Sequence, residues 1–293
     1  MDKFAPLNLS PEEIIEYTPE WQGERFDDGR PKVSDSILDR MRKVTVTQAW
    51  GVLYNDGFRW QYEGDFHCTQ PGEVLVGRAV TAMYMPRRPD MRKLMEEKGA
   101  RLGCIGDQIS WPIDMLVKGD VYVADVFGKI DQGPIMGDNL STAIYAKSGN
   151  GVVHDAAVRD SDGIREMSGF VSFVRGWHPT YASPTIMLLG VNCPLRIGHA
   201  TVMPGDVVLG RDDGVLFVPP HLAERVVKTS ELIRLRDAFG KGRLAEGKYT
   251  PGQIDARWTD PIEADFSMWL EDHIDELPVS REAIQELLKE RTW

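Results

Sequence analysis

Apolar positions along this chain change their period from one segment to the next, and those changes predict an alternation of helices and strands. Ser10-Pro11-Glu12-Glu13 has the form of a capping box with proline at the first helical position, which predicts a short helix ending near Thr18-Pro19. Residues 21–32 (WQGERFDDGRPK) are polar, with glycine and proline, and read as a linker or wrapping arm. Ser34 predicts a second cap, followed by a helix with Ile37, Leu38, Met41 and Val44 on one side. Residues 73–85 (EVLVGRAVTAMYM), rich in valine and interrupted by one glycine, predict a strand. Residues 89–98 predict a helix that stops at Gly99 in a left-handed position.

Pro71-Gly72-Glu73-Val74, Lys118-Gly119-Asp120-Val121 and Pro204-Gly205-Asp206-Val207 share one pattern, a turn followed by a β-rich run. Their spacing is irregular, so they predict recurring strand entries rather than a solenoid. Further strands are predicted at 151–154, 169–174, 185–191 and 215–218, with helices at 140–147 and 164–167 between them. Pro220 opens a longer helix through about Phe239, using Leu222, Val226, Val227, Leu232 and Leu235. The sum is a mixed α/β domain with a β-rich core. Beyond it, Gly242, Gly247, Gly252, Pro251 and Pro261 mark loops, while Trp258, Phe266 and Trp269 are too aromatic for a disordered tail. A last helix is predicted at 280–290, presenting Ile284, Leu287 and Leu288.

Composition narrows the function. The 293 residues are 42% hydrophobic and carry a formal net charge of −11, with no Lys/Arg-rich block. Such a surface repels phosphates, so no nucleic-acid partner is expected, and no apolar run predicts a membrane span. The start of the sequence lacks an apolar stretch of signal-peptide type. Cys68, Cys104 and Cys193 are far apart and odd in number, which suits a reducing, cytoplasmic setting.

The chemistry is expected between residues 137 and 160. Gly137, Asp138 and Asn139 precede a predicted helix whose first-turn N–H groups and dipole could hold a carboxylate or phosphate; Asp138 or Asn139 could instead simply cap that helix. The second half of the segment ends a predicted strand and continues as Ala156-Ala157-Val158-Arg159-Asp160. Beyond the carboxyl end of a strand, an Asp can bind a divalent cation and an Arg can neutralise an oxyanion. The plain alternative is a solvated Arg and an Asp capping the next helix. His154 could reach such a pocket but suits a hydrogen-bonded core position, His178 could contact substrate, and Asp155 could accept backbone N–H groups in the turn. The six histidines show no HxH or HExxH spacing, and no Walker loop, GxGxxG or GxSxG is present.

Asp138, twenty intervening residues and then Arg159-Asp160 resemble the D-X20-R-D signature of the RraA-like family, which includes metal-dependent class II 4-hydroxy-4-methyl-2-oxoglutarate / 4-carboxy-4-hydroxy-2-oxoadipate aldolases. Gly77-Arg78-Ala79-Val80-Thr81, Gly119-Asp120-Val121, Ala157-Val158-Arg159-Asp160 and Asp212-Asp213-Gly214-Val215 are similar to further family stretches in the same order. The resemblance covers residues 37–236 and implies a swivelling β/β/α fold; beside that catalytic domain at 37–239, the chain is read as carrying an N-terminal helix and arm at 1–36 and a C-terminal extension at 240–293 packed on the core or on a neighbouring subunit. The resemblance implies trimers, often paired into hexamers. Backbone amides of Gly137, Asp138, Asn139 and Leu140 would hold a 2-oxo acid carboxylate, Arg159 would polarise the keto oxygen, Asp160 would bind Mg²⁺ or Mn²⁺, and Asp138 would support the metal's water shell. An acidic residue from a neighbouring subunit would help as acid or base. The implied activity is a carbon–carbon lyase, by retro-aldol cleavage or oxaloacetate decarboxylation; other RraA-like proteins are regulators of ribonucleases. The chain departs from the family at Thr45-Val46-Thr47-Gln48-Ala49-Trp50, where Gln48 stands in place of an acidic residue, and in the insert at 101–116, which is expected to reshape the pocket.

Overall fold

In the computed structural model, which describes residues 5–273, all three glycine turns feed strands as expected. Gly72, Gly119 and Gly205 have φ of 86°, 84° and 87°, a region that a side chain penalises. The strands are β1 Tyr62–Glu63, β2 His67–Cys68, β3 Leu75–Pro86, β4 Asp120–Lys129, β5 Val152–Val158, β6 Ser172–Trp177, β7 Ile186–Val191, β8 Leu195–Ile197, β9 Ala200–Val202, β10 Val207–Arg211 and β11 Gly214–Val218. Among the described residues, nine form one mixed sheet in the order β1-β11-β10-β3-β4-β5-β6-β2, with β7 also paired to β3; β8 and β9 form a separate ribbon.

The centre of the sheet is parallel, β3 to β4 to β5 to β6. Its strands read as nearly unbroken apolar runs because both faces are covered. Val80, Tyr122, Val152 and Val158 pack on one face with Ile144 and Ile164, while Ala79, Val121, Val153 and Phe173 pack on the other with Leu195 and Val202. The first helices are α1 Pro11–Tyr17, α2 Asp35–Met41 and α3 Val46–Asn55. The Ser10/Glu13 capping box and the Ser34 cap form as expected. Helix α3 escaped the periodicity reading, although Thr45 and Gln48 form a second capping box. Gln48 therefore has a local task as the reciprocal partner of the cap.

Helix α4, Pro89–Arg101, runs past the expected stop. Gly99 lies buried inside it, where an added Cβ would collide with the Trp111 ring. The left-handed residue is Gly103, and the Cys104 N–H closes the end onto the Gly99 carbonyl at 2.9 Å. After α5 (Trp111–Asp114), α6 (Asp138–Ser148) and α7 (Ser161–Glu166), Pro220 opens a 3₁₀ turn before α8, Ala223–Ala245. Gly242 sits within α8 and marks no loop.

Residues 21–32 wrap onto the sheet. Arg30 is 1% exposed and joins its Nη1 and Nη2 to the Asp120 carboxylate at the start of β4, at 3.0 and 3.2 Å. Its Nε meets Asp28 at 2.7 Å.

Contacts divide the chain into two units, residues 1–227 and 228–293. In the second, Leu235 and Phe239 of α8 form a small core with Trp258, Ile262, Phe266 and Leu270, the last three on α10 (Asp260–Asp272, after α9 at Pro251–Ile254). Burial raises the Asp265 carboxyl, but hydrogen bonds from Arg243, Lys248 and Tyr249 outweigh it and bring it to about 2. The helix expected at 280–290 lies outside the described residues. Among those described, no helix is long and apolar enough to cross a membrane, and all three cysteines are free.

Asp206, in the third glycine turn, is buried and accepts the Met203 N–H at 2.8 Å. Burial pushes its carboxyl up to about 8 from an ordinary 3.8, only partly countered by that hydrogen bond. Between about pH 4 and about pH 8 the folded state retains a proton that the unfolded chain has lost, so this group makes stability fall as pH rises, by up to about 1.4 kcal/mol per pH unit. Asp206→Asn is expected to flatten that fall, as read from urea unfolding at about pH 5 and about pH 8. An unchanged slope would mean that Asp206 ionises freely in the fold.

Candidate active site

Strand β5 is longer than expected and ends at Val158, so Arg159 and Asp160 stand just beyond its carboxyl end. Two backbone bonds fix the exit: the Arg159 N–H donates to the Met136 carbonyl and the His178 N–H to the Val158 carbonyl, each at 3.1 Å. The chain then turns sharply at Asp160, whose φ is 54°. Aspartate tolerates this left-handed conformation better than most residues. Asp160 takes the N-cap position of α7, but its side chain makes no capping hydrogen bond. The plain reading of Asp160 as a cap is thus met by the backbone alone. Its carboxylate faces Arg159, with Nε to Oδ2 at 3.4 Å, and both side chains are about two-fifths exposed (41% and 43%).

Helix α6 brings the other half of the signature to the same place. Its N-cap is Gly137, so neither Asp138 nor Asn139 caps it. A Cβ on Gly137 would collide with Asp160 Oδ2 and lie 2.9 Å from Arg159 Nε. A glycine here lets the start of α6 press directly on the Arg-Asp pair. Gly163 plays the matching part for Asp138: its added Cβ would lie 3.0 Å from Asp138 Cβ and 3.1 Å from Oδ2. Gly137 and Asp138 at the start of α6 are thus placed beside Arg159 and Asp160. The Asn139 N–H is already taken by Asp138 Oδ1 at 2.8 Å; the first-turn N–H groups of any helix have no carbonyl acceptor one turn earlier within it.

A cleft of about 500 Å³ opens beside this cluster, lined by Arg159, Asp160, Asp162, Gly163, Trp177 and His178 among others. His178 holds Thr180 Oγ1 through Nδ1 at 2.7 Å and Asp131 through Nε2 at 3.3 Å. Trp177, Asp131 and Gly163 were not read from the sequence; only Gly163, in Ser161-Asp162-Gly163, carries a local signal. The insert at 101–116 does not line this cleft. Its Asp107 instead pairs with Arg92 at 2.6 Å.

Two other candidates fall away from the site. Asp155 lies within β5, not in a turn, and accepts Arg175 Nε at 2.6 Å; Arg175 also reaches Glu63 at 2.8 Å. His154 is fully buried against Tyr122, and burial pushes its pKa down to about 3. Neither of its ring nitrogens has a hydrogen-bond partner among the described residues, contrary to the hydrogen-bonded core position expected.

The donor set bears on metal binding. Among the described residues no three His, Cys, Asp or Glu side chains come together as metal ligands. Among the described residues no closed zinc-type site is formed, whereas exposed Asp160 and Asp138 fit a hard divalent ion that keeps most of its waters.

The sequence profile of the RraA-like family, described as Aldolase/RraA, matches residues 32–217, and the chain belongs to this family. It is 30% identical over 176 residues to protein DlpA of Legionella pneumophila, covering 60% of this chain and 26% of that one, so it spans about a quarter of that relative's length. It is 27% identical over 150 residues to 4-hydroxy-4-methyl-2-oxoglutarate aldolase of Thermus thermophilus, covering 50% of this chain and 76% of that one. A Streptomyces coelicolor structure, described as an unusual member of the RNase ES inhibitor RraA protein family, superposes with a TM-score of 0.62 at 25% identity, covering 72% of this chain and all of that one. The mixed sheet with its helices is the RraA-like fold.

Proposed function

We propose that this chain is a divalent-metal-dependent lyase that cleaves a C–C bond of a 2-oxo acid through a pyruvate-type enolate. The observation that carries the reading is the Asp160 carboxylate, left unused by the helix cap and set against Arg159 by Gly137. The aldolase name of the Thermus relative supports it. Backbone N–H groups at the start of α6, between Gly137 and Leu140, would hold the substrate carboxylate. Arg159 would hold the keto oxygen, where negative charge accumulates as the C3–C4 electron pair forms the C2=C3 bond and the carbonyl pair moves onto oxygen; in the retro-aldol direction a base takes the C4 hydroxyl proton, and in both reactions C3 then takes up a proton to give pyruvate. Asp160 would hold Mg²⁺ or Mn²⁺, with Asp138 orienting its water; the ion would supply Lewis-acid stabilisation of the enolate. Retro-aldol cleavage of a 4-hydroxy-2-oxo acid and decarboxylation of oxaloacetate share that enolate, so one site serves both. The reading takes residues 1–36 and 240–293 as extensions of a cytoplasmic homotrimer or homohexamer.

The test is pyruvate release from oxaloacetate and from 4-hydroxy-4-methyl-2-oxoglutarate by chelator-stripped protein, with and without Mg²⁺ or Mn²⁺, after subtracting the metal-only background. Metal-dependent release above background is expected. No release from either substrate, together with metal-independent binding to a ribonuclease, would favour the second reading, a non-catalytic regulator, to which the Streptomyces likeness points. Gly137→Ala is expected to cut release by on the order of tenfold to a hundredfold, because the methyl group displaces the Asp160 carboxylate and a misplacement of about 1 Å suffices for such a loss. Arg159→Lys is expected to impair release too, since one ammonium cannot reproduce the guanidinium fork.

A further inference from the structure

A second cavity, of about 410 Å³, lies away from the cleft just described and shares none of its lining residues. It sits at the opposite end of the parallel strands, near the start of β4, where the arm crosses the sheet. Leu9, Pro11, Phe26, Met115 and Val117 make its apolar walls; Asp28, Arg30 and Asn192 make a polar group among them. Five of these eight residues come from the arm before residue 32, outside the stretch matched by the family. The cavity is thus built largely by what this chain adds to its fold. Its volume falls within the range of small-molecule sites.

The polar side is rich in acceptors. Asn192 is 3% exposed and donates its Nδ2 to Asp28 at 3.1 Å, but its Oδ1 accepts no hydrogen bond among the described residues. A buried carbonyl left without a donor is costly, and a ligand donor would relieve that cost. Every nitrogen of the Arg30 guanidinium is already engaged by Asp28 or Asp120, so it is poorly placed to recruit an anion. Arg78 and Lys32 also face the Phe26 ring, yet each is paired, with Asp35 and Glu24 respectively. Asp27 and one of the two carboxylates on Arg30 remain in excess. The geometry points to a binding site for a small organic ammonium, its N–H groups on Asn192 Oδ1 and Asp28 and its apolar body against Phe26, Met115 and Val117.

Calorimetric titration of the full chain with benzylamine, benzyl alcohol and benzoate tests this. Benzylamine is expected to bind saturably at one site per chain, and benzoate at least about tenfold more weakly, a difference of about 1.4 kcal/mol. Asn192→Gly keeps the left-handed backbone, since Asn192 has φ of 50°, but removes the acceptor; Val117→Trp fills the cavity from a position that is 42% exposed. Each is expected to weaken benzylamine by about tenfold or more, while Asp160→Ala leaves it unchanged. The proposal is overturned if benzylamine shows no saturable binding, if benzoate binds equally well, if both cavity variants bind like the parent, or if Asp160→Ala removes binding.

Discussion

Asp160→Asn is expected to reduce metal-dependent pyruvate release by on the order of a hundredfold to a thousandfold, with oligomeric state and unfolding midpoint little changed. The asparagine variant is the sharper one. Residue 160 has φ of 54°, and asparagine accepts that conformation as aspartate does, so the change removes charge without removing the turn. Asp160→Ala removes the charge as well, but adds about 1–2 kcal/mol of backbone strain. Because the carboxylate makes no capping bond, its loss leaves α7 with the same N-terminal partners. Parallel measurement of pyruvate release and thermal unfolding separates the two effects. Parental turnover by the asparagine variant with metal in excess would sink the mechanism, whatever substrate is used.

Arg30→Ala is expected to destabilise the first unit by about 3–5 kcal/mol, the usual consequence of leaving a buried charge without its partner. Asp120 is 0% exposed, and without Arg30 it keeps the Val117 N–H at 2.9 Å and the charge of Arg78. Burial already pushes the Asp120 carboxyl upward, with Arg30 holding it back. Losing Arg30 therefore raises it further, and the variant is expected to regain stability as pH falls and the carboxyl takes up a proton. Arg30→Met combined with Asp120→Asn should recover much of the loss, because it removes both charges together. Urea unfolding of the single and double variants at two pH values would reveal the coupling; strictly additive losses would mean that the pair is not linked.

The parts of the fold legible in the sequence are those encoded locally. Ser10/Glu13, Ser34 and the three glycine turns each place an element within a few residues of itself. Helix α3 carries an equally local signal in Thr45 and Gln48. Gly99 misled because a glycine packed against an indole looks, in one dimension, like a glycine ending a helix. Strands β1 and β2 are two residues long and carry no period to detect. In the candidate site, Asp138, Arg159 and Asp160 stand out through their resemblance to the RraA-like signature, but what lets α6 and α7 approach them is the absence of side chains at Gly137 and Gly163. Arg30 and Asp120 are ninety positions apart, so their pairing has no local signature.

The central strand also dictates an order of events during synthesis. β3 meets β4 through Arg78 and Asp120, β7 through Ala82 and Val191, and β10 through Gly77 and Val208. None of those partners has left the ribosome when β3 emerges. One of its edges can be met by β4, which begins at Asp120, but the other must wait for β7 and β10, from Ile186 and Val207, while roughly a hundred further residues are translated. For that interval the nascent chain carries β3 with one edge open, which concentrates its aggregation risk before release rather than after folding.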